Sequence, residues 1–138
     1  MDSCIFCKIL KGEIPSTTIY EDENVKVILD IAPAAKGHAI LLVKEHVANI
    51  FELNQDLAGK IFAVVPKVAT AIKEELGCDG MNILQNNGVE AGQTVFHLHI
   101  HFIPRWKEDS VNIKWKPLSY ADGEAAALAD AIRTRLCE

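Results

Sequence analysis

The stretch Val95-Phe96-His97-Leu98-His99-Ile100-His101-Phe102-Ile103 alternates histidines with apolar residues. Successive side chains of a β-strand point to opposite faces, so the alternation predicts one strand over residues 95–103 with its three histidines on one face. The other face carries the apolar members Phe96, Leu98, Ile100 and Phe102. We expect the apolar face to pack against a hydrophobic core and the histidine face to line a functional site.

The histidine row, defined as His97, His99 and His101, indicates three kinds of chemistry. An imidazole titrates near neutral pH, and its neutral form is both a nucleophile and a metal ligand. Neighbouring rings on a strand lie ~6.6 Å apart, so one metal ion could bind two of them but hardly all three. Spacing alone leaves nucleophilic, acid–base and metal chemistry open, beside a purely structural role for hydrogen-bonded core histidines.

The remaining strands are predicted from short β-rich runs between turn residues. They are expected at residues 17–20, 25–31, 38–43 and 81–85. Strand pairs without an intervening helix favour an α+β domain with an antiparallel sheet of about five strands. Because a domain typically has ~150 residues, we expect residues 1–138 to form a single domain.

One long helix and one C-terminal helix are predicted from apolar residues spaced three or four apart. The long helix covers residues 54–76 with Asn54 as its N-cap, and Pro66 is expected to kink or restart it. The C-terminal helix covers residues 121–136. It places four apolar side chains on one face, namely Ala125, Leu128, Ile132 and Leu136.

Charge and hydropathy exclude several classes of protein. The 14 Lys and Arg against 19 Asp and Glu give a net charge of −5, which offers no general attraction for a nucleic acid. No apolar stretch approaches the ~20 residues of a membrane-spanning helix, and the opening Met1-Asp2-Ser3-Cys4 lacks the basic region of a secretion signal. We expect a cytoplasmic protein with neither a nucleic-acid partner nor a membrane partner.

The four cysteines comprise one Cys-x-x-Cys pair, Cys4 and Cys7, and two isolated thiols. Without an export signal a disulfide framework is not expected, so the pair indicates a metal-binding or redox motif. Two cysteines and two histidines make a complete tetrahedral zinc site, for which His46 and one histidine of the row are available. A redox pair and two inert thiols stay open as alternatives.

A loop over residues 86–94 precedes the histidine row and contains Asn86, Gly92, Gln93 and Thr94. It supplies amides, a hydroxyl and backbone N–H groups, which are donors without formal charge. A phosphate group and the charge of its transition state require such donors. The alternative, a solvated turn between strands, explains the glycines but not the amide and the hydroxyl beside the histidines.

The segment from Ala91 to Ile103 resembles the signature of the histidine-triad family of nucleotide hydrolases and transferases, because it carries the pattern His-φ-His-φ-His-φ-φ. Similarity to the cysteine-containing, prokaryote-type branch extends over nearly the whole chain. It includes Cys4-Ile5-Phe6-Cys7-Lys8-Ile9, Leu29-Asp30-Ile31-Ala32-Pro33, Gly37-His38 and Lys44-Glu45-His46. The resemblance implies a histidine-triad fold that pairs into a homodimer with a continuous ten-stranded antiparallel sheet.

The resemblance also implies roles for individual residues. Family members act at the α-phosphate of a nucleotide, so His99 would attack phosphorus and form a nucleotidyl-histidine intermediate that water hydrolyses. His101 would hydrogen-bond the phosphate or donate to the leaving group, and His97 and His38 would complete the catalytic group. Asp30 would bind the ribose hydroxyls and Ile31 would line the base pocket. Four loop residues would contact the substrate, namely Asn86, Gly92, Gln93 and Thr94.

The implied cofactor is one structural zinc ion held by Cys4, Cys7, His46 and His97, with no organic cofactor. The implied substrate is a purine nucleotide, either a nucleoside phosphoramidate or a dinucleoside polyphosphate. Two other functions stay open. One is a zinc hydrolase in which the histidine row binds a catalytic metal that activates water. The other is a nucleotide-binding scaffold whose catalysis is vestigial.

Overall fold

Five strands form one antiparallel sheet in the computed structural model, which describes residues 3–137. They are β1 (Thr18–Glu21), β2 (Val25–Leu29), β3 (Ala39–Val43), β4 (Gly80–Leu84) and β5 (His99–Arg105). Their order across the sheet is β1-β2-β3-β5-β4. Each neighbouring pair is antiparallel, which confirms the predicted α+β fold with a five-stranded antiparallel sheet.

Strand β3 lies at the centre of the sheet, and all five of its residues are buried. Its run Ala-Ile-Leu-Leu-Val is continuously apolar because both faces of the sheet are covered. Leu41 and Val43 belong to the larger core, on the face covered by the two central helices. Ile40 and Leu42 belong to a smaller core with Phe6 and Ile9 of the N-terminal helix α1 (Ile5–Leu10).

The predicted long helix is interrupted and forms two helices, α2 (Gln55–Phe62) and α3 (Val65–Leu76). Pro66 lies in the first turn of α3. Backbone N–H groups in the first turn have no intrahelical acceptor, so the missing N–H of proline costs no hydrogen bond there and a new helix can begin. The predicted N-cap is confirmed, since Oδ1 of Asn54 accepts a 2.8 Å hydrogen bond from the Leu57 backbone N–H. Gly77 ends α3 in the left-handed conformation, with φ of 64°.

Strand β5 begins at His99, four residues later than predicted. Residues 95–97 form a bend instead of a strand. The Leu98 backbone N–H donates to the Val47 carbonyl oxygen at 2.8 Å, so it is bonded to the segment after β3 rather than to a neighbouring strand. Leu98, Ile100 and Phe102 reach the larger core as expected. The prediction for Phe96 is wrong, since its side chain is 45% exposed rather than packed in the core.

The C-terminal helix α4 (Glu124–Leu136) forms within the predicted range. The apolar face of the helix does not reach the core of its own chain, because no residue of α4 is buried and Leu128, Ile132 and Leu136 are exposed. An irregular segment over residues 106–123 connects β5 to this helix. Within residues 3–137, no helix combines the length and the apolar character needed to cross a membrane.

Replacing Ile61 by alanine tests the packing of α2 on the sheet. Ile61 is fully buried in the larger core, so Ile61→Ala is expected to lower the free energy of unfolding by about 2–5 kcal/mol. Lys60→Ala, at the exposed neighbouring position of the same helix, should change it by less than about 0.5 kcal/mol. Urea unfolding of both variants measures the difference, and equal losses would contradict this packing.

Candidate active site

A cleft of about 300 Å³ opens on the sheet face that carries His99 and His101. Register places His101 beside Ile40 and His99 beside Leu42, so both imidazoles share the face of the smaller core. One wall of the cleft is aliphatic and aromatic, and it comprises Ile5, Phe6, Ile9, Ile14 and Ile28. The polar side contains Asp30, Gly92 and Thr94, so the fold brings several predicted site residues to one place.

His99 is held in one tautomer by the backbone. Its Nδ1 lies 2.7 Å from the His97 carbonyl oxygen, which can only accept, so Nδ1 carries the proton and Nε2 keeps its lone pair. The edge of the Phe6 ring packs against the imidazole, with centroids 4.9 Å apart. Burial lowers the pKa of His99, outweighing the hydrogen bond to the carbonyl. The ring is therefore neutral and fixed in orientation at the cleft, with Nε2 able to act as a nucleophile.

His38 and His101 form a hydrogen-bonded pair whose direction follows from the backbone as well. Nδ1 of His38 accepts a 2.9 Å hydrogen bond from the Ala34 backbone N–H, so its proton is on Nε2. That Nε2–H donates to Nδ1 of His101 at 2.9 Å, which places the His101 proton on Nε2. Burial, with the neighbouring His99 and His38, lowers the pKa of His101 to about 4. His101 is therefore neutral at pH 7 and has one N–H to donate.

Asp30 and Ile31 lie at the mouth of the cleft, directly after β2. Oδ1 of Asp30 accepts a 2.9 Å hydrogen bond from the Ala32 backbone N–H, and Oδ2 lies 3.6 Å from Nε2 of His38. The carboxylate thus keeps acceptor capacity for a ligand. The Ile31 side chain is 94% exposed at the edge of the same cleft.

The loop before the histidine row approaches the cleft through Gly92. Gly92 has a φ of 97°, which only glycine adopts at low cost, and a Cβ there would come within 3.3 Å of the Asn86 amide nitrogen. Glycine at this position therefore lets the Asn86 amide lie close to the cleft. Thr94 lines the cleft two residues further on.

The structure gives Gln93 a different part from the one predicted. Its side chain is only 3% exposed, and its Nε2 donates to the carbonyl oxygens of Ala48 and Val95 at 2.7 and 3.1 Å. Its Oε1 accepts a 2.8 Å hydrogen bond from the Gly88 backbone N–H. Both side-chain donors are used, so Gln93 fixes the loop and has no donor for a phosphate in this structure.

A second group of side chains converges behind the cleft, where Cys4, Cys7, His46 and His97 each place one ligand atom within 4.8 Å of the others. The Cys7 Sγ–His46 Nδ1 distance is 3.2 Å, and Nδ1 of His97 lies 3.5 Å from each sulfur. The two Nδ1 atoms are 3.0 Å apart. The sequence-based grouping of these four residues is thus matched by their positions, and they could hold a metal ion.

The donor set fits a tetrahedral metal ion. Nε2 of His97 donates to the Val43 carbonyl oxygen at 2.6 Å, so its Nδ1 lone pair points toward the two sulfurs. Typical zinc–nitrogen and zinc–sulfur bonds place the ligand atoms of such a tetrahedron about 3.3–3.8 Å apart. The nitrogen–nitrogen and nitrogen–sulfur separations here are 3.0–3.5 Å, at or slightly below the short end of this range. Four protein ligands leave no open position for water, which is the mark of a structural site.

Several groups that shape the site were not identified from the sequence. Three are backbone groups, namely the N–H of Ala34 and the carbonyls of Val43 and His97, and a sequence carries no signal for them. Phe6 is the fourth, because its ring contacts the imidazoles of both His97 and His99. The apolar spacing of Phe6 and Ile9 on the short first helix was the available signal for this wall.

Comparison with known proteins agrees with this geometry. A family model described as HIT domain matches residues 11–108. The chain is 48% identical over 116 residues to Protein hit of Bacillus subtilis, with 83% of this chain and 80% of that protein covered. It is 40% identical over 135 residues to adenosine 5'-monophosphoramidase hnt1 of Schizosaccharomyces pombe (97% and 98%) and 37% over 140 residues to adenylylsulfatase HINT3 of Arabidopsis thaliana (99% and 71%).

Solved structures agree in fold. The crystal structure of SMU.412c from Streptococcus mutans superposes with a TM-score of 0.94 at 43% identity, with 99% of this chain and 87% of that chain covered. A zinc-bound histidine triad family protein from Mycobacterium smegmatis superposes with a TM-score of 0.75 at 37% identity, covering 96% and 98%.

The low pKa of His101 predicts how stability depends on pH. The unfolded histidine, with a pKa of 6.5, takes up a proton at higher pH than the folded one at about 4. The contribution of His101 to the free energy of unfolding is thus fully present above pH 6.5 and is lost as the pH falls toward 4. The whole shift corresponds to about 3 kcal/mol. Urea unfolding at about pH 7.5 and about pH 5 should show a smaller loss in His101→Asn than in the wild type. Equal losses would contradict the assignment.

Proposed function

Because the chain belongs to the HIT domain family, we propose that it is a nucleotide hydrolase that acts at the α-phosphate of a purine nucleotide, with His99 as the nucleophile. The observation that carries the proposal is the 2.7 Å hydrogen bond from Nδ1 of His99 to the His97 carbonyl, which leaves Nε2 free to attack. The names of two relatives, an adenosine 5'-monophosphoramidase and an adenylylsulfatase, support a substrate with a leaving group on the phosphorus of adenylate.

In the first step, the Nε2 lone pair of His99 attacks the α-phosphorus and forms a P–N bond. The bond from phosphorus to the leaving group breaks, and the leaving group departs with the electron pair and takes up a proton from solvent, which an amine leaving group requires. The developing charge on His99 is stabilised by its Nδ1–H bond to the His97 carbonyl and by the nearby Asp30 carboxylate, whose charge favours protonated His99. The product is a nucleotidyl-histidine and the free leaving group.

In the second step, water attacks the nucleotidyl-histidine. The new P–O bond replaces the P–N bond, the nucleoside monophosphate is released, and the water proton passes to solvent. His99 returns to its neutral form with the proton still on Nδ1. One water is consumed in each cycle.

His101 is assigned to hydrogen-bonding the phosphate rather than to protonating the leaving group. A histidine with a pKa of about 4 holds no surplus proton at pH 7, but its Nε2–H can donate to a phosphate oxygen. His38 is a positioning residue, because its Nε2–H fixes the tautomer of His101. His97 acts through its carbonyl on His99.

The substrate is assigned to residues on both sides of the imidazoles. We assign the phosphate to the Asn86 amide and the Thr94 hydroxyl, which are donors without charge. Gly92 lines the same side of the cleft, and its backbone N–H donates to the Val89 carbonyl oxygen at 2.9 Å. The Asp30 carboxylate would accept two hydrogen bonds from the ribose diol, and Ile31 would contact the base. A phosphoramidate and a dinucleoside polyphosphate both fit this assignment.

A catalytic metal on the histidines is less well supported than nucleophilic catalysis. Asp30, His38 and His101 place one ligand atom each within 4.8 Å of one another. However, Nδ1 of His38 accepts from Ala34, so Nε2 carries a proton that a metal ion would have to displace. A histidine that binds a metal through one ring nitrogen typically donates a hydrogen bond from the other nitrogen, whereas Nδ1 of His38 accepts one.

The group of Cys4, Cys7, His46 and His97 is assigned to a structural zinc ion. When bound, zinc would supply a cross-link between the N-terminal helix and the segment that leads into β5, without an open coordination position. We further propose that the protein works in the cytoplasm as a homodimer with a ten-stranded sheet and without an organic cofactor. These assignments rest on family membership and the donor geometry above.

Replacing the nucleophile tests the mechanism directly. His99→Ala should lower turnover of adenosine monophosphoramidate and diadenosine tetraphosphate by roughly three powers of ten or more, because no second group can form the covalent intermediate. Lys60→Ala, on the exposed side of α2, is the matched control and should keep wild-type turnover. Rapid quenching and mass spectrometry of the wild type should find one nucleotide on His99.

Two results would overturn the mechanism. If His99→Ala keeps most of the activity, or if a chelator abolishes the activity of protein that stays folded, a metal-activated water would replace His99 as the nucleophile. If the wild type binds nucleotide tightly but turns over negligibly, and His99→Ala does the same, the protein would be a nucleotide-binding scaffold.

Metal analysis tests the zinc assignment separately. The purified wild type should contain one zinc per chain, and Cys4→Ser should lose it. The free energy of unfolding of Cys4→Ser should be several kcal/mol lower than that of the wild type, because metal binding contributes directly to folding. Cys137→Ser changes an exposed thiol of the same type and should keep both zinc and stability. Zinc retained by Cys4→Ser, or a wild type with no zinc under zinc-replete expression, would contradict the assignment.

A further inference from the structure

Cys4 is the accessible sulfur of the metal group, defined as Cys4, Cys7, His46 and His97. An outer opening of about 380 Å³ reaches Cys4 and His46 from the surface, and Phe96 lines it as well. Cys4 is half-buried there, whereas Cys7 is only 9% exposed. A small solute therefore has direct access to one sulfur of the pair.

The second sulfur is close enough to bond to the first. Cys4 is the N-cap of α1, and Cys7 lies in the first turn of that helix. The Cys7 backbone N–H donates to the Cys4 Sγ at 3.4 Å, and the two sulfurs lie within 4.8 Å of each other. The Cys-x-x-Cys spacing is that of redox motifs that form a disulfide. A bond between the two sulfurs can therefore form within one turn of the chain.

The metal group adjoins a wall of the cleft. Helix α1 has six residues, which is too short to be stable in water without packing. Phe6, which lies between the two cysteines in the sequence, packs its ring against His99 with centroids 4.9 Å apart. Ile5 and Thr94 line both the cleft and the outer opening. Loss of a metal cross-link between α1 and the two histidines of the group would therefore remove a restraint on this wall.

We propose that the metal group is a peroxide-responsive switch. Hydrogen peroxide entering the outer opening oxidises Cys4 and Cys7 to a disulfide, the zinc ion leaves, and α1 loosens beside the cleft. A cysteine that binds zinc is a thiolate, which is the form that attacks a peroxide. The inference rests on the zinc assignment proposed above and is independent of the chemistry at His99.

The oxidation takes place in two steps. The Cys4 thiolate attacks one peroxide oxygen, the O–O bond breaks, and a sulfenic acid and a hydroxide form. The Cys7 thiolate then attacks the Cys4 sulfur, the S–O bond breaks, and a second hydroxide leaves as the disulfide forms. Two protons from solvent convert the hydroxides to water. Two electrons have passed from the sulfurs to the peroxide, and the metal ion, left with two histidine ligands, is released as Zn²⁺.

The experiment uses the full, zinc-loaded chain and hydrogen peroxide. The peroxide should release one zinc per chain, measured with a colorimetric chelator, while peptide mass spectrometry finds the Cys4–Cys7 disulfide. A dithiol reductant with added zinc should reverse both changes. Hydrogen exchange in α1 should become at least ~10-fold faster after oxidation. Helix α3, on the other face of the sheet, should keep its exchange rates.

Two variants serve as controls. Cys137→Ser removes an exposed thiol outside the metal group and should release zinc as the wild type does. Cys4→His keeps four possible zinc ligands but cannot form the disulfide, so it should hold its zinc at least ~10-fold longer in peroxide.

Three results would overturn the switch while the zinc assignment stands. In the first, the zinc-loaded wild type keeps its zinc and both thiols in peroxide. In the second, zinc is released while Cys4 is oxidised alone, without a disulfide. In the third, the disulfide forms but exchange in α1 does not change. A wild type that never binds zinc would overturn the zinc assignment and the switch together, and turnover by His99 would be unaffected by that result.

Discussion

The geometry of the site depends on the burial of a single imidazole, that of His97. The ring has no exposed surface, and its Nε2–H is committed to the Val43 carbonyl at the end of the central strand. Its Nδ1 faces the sulfurs of Cys4 and Cys7, while its own carbonyl oxygen accepts from His99. Leaving a buried polar group unpaired costs about 1–3 kcal/mol, so each of these contacts restrains the others. One residue thereby couples the N-terminal helix, strand β3 and the imidazole at the cleft.

Backbone groups, rather than charged side chains, determine which nitrogen of each histidine is protonated. The Val43 carbonyl, the His97 carbonyl and the Ala34 N–H act on His97, His99 and His38 in turn. A backbone donor or acceptor stays in place when side chains change, and it adds no charge to the proposed phosphate site. Burial lowers the pKa values of these histidines, and the resulting neutral rings suit nucleophilic attack and hydrogen-bond donation near pH 7.

The sequence predicted most of the sheet and both helical regions, because strand alternation, a helix N-cap and a proline are local signals. It could not locate the start of β5, since the hydrogen bond that turns Leu98 toward Val47 joins distant segments and places Phe96 outside the core. A sequence does not show whether a side-chain amide beside the histidines points toward a ligand or into the protein. The Gln93 amide points into the protein. The pattern of α4 predicted an apolar face, but it could not show that this face stays exposed in the chain.

The hydrocarbon wall of the cleft has a consequence for selectivity. Ile5, Phe6, Ile9, Ile14 and Ile28 present no hydrogen-bond donor or acceptor from their side chains. Such a wall selects a flat ring of a ligand by its size and shape. Exchanging one ring substituent for another breaks no hydrogen bond to the wall, because these side chains form none. Fine discrimination between ligands would therefore have to come from the polar side of the cleft.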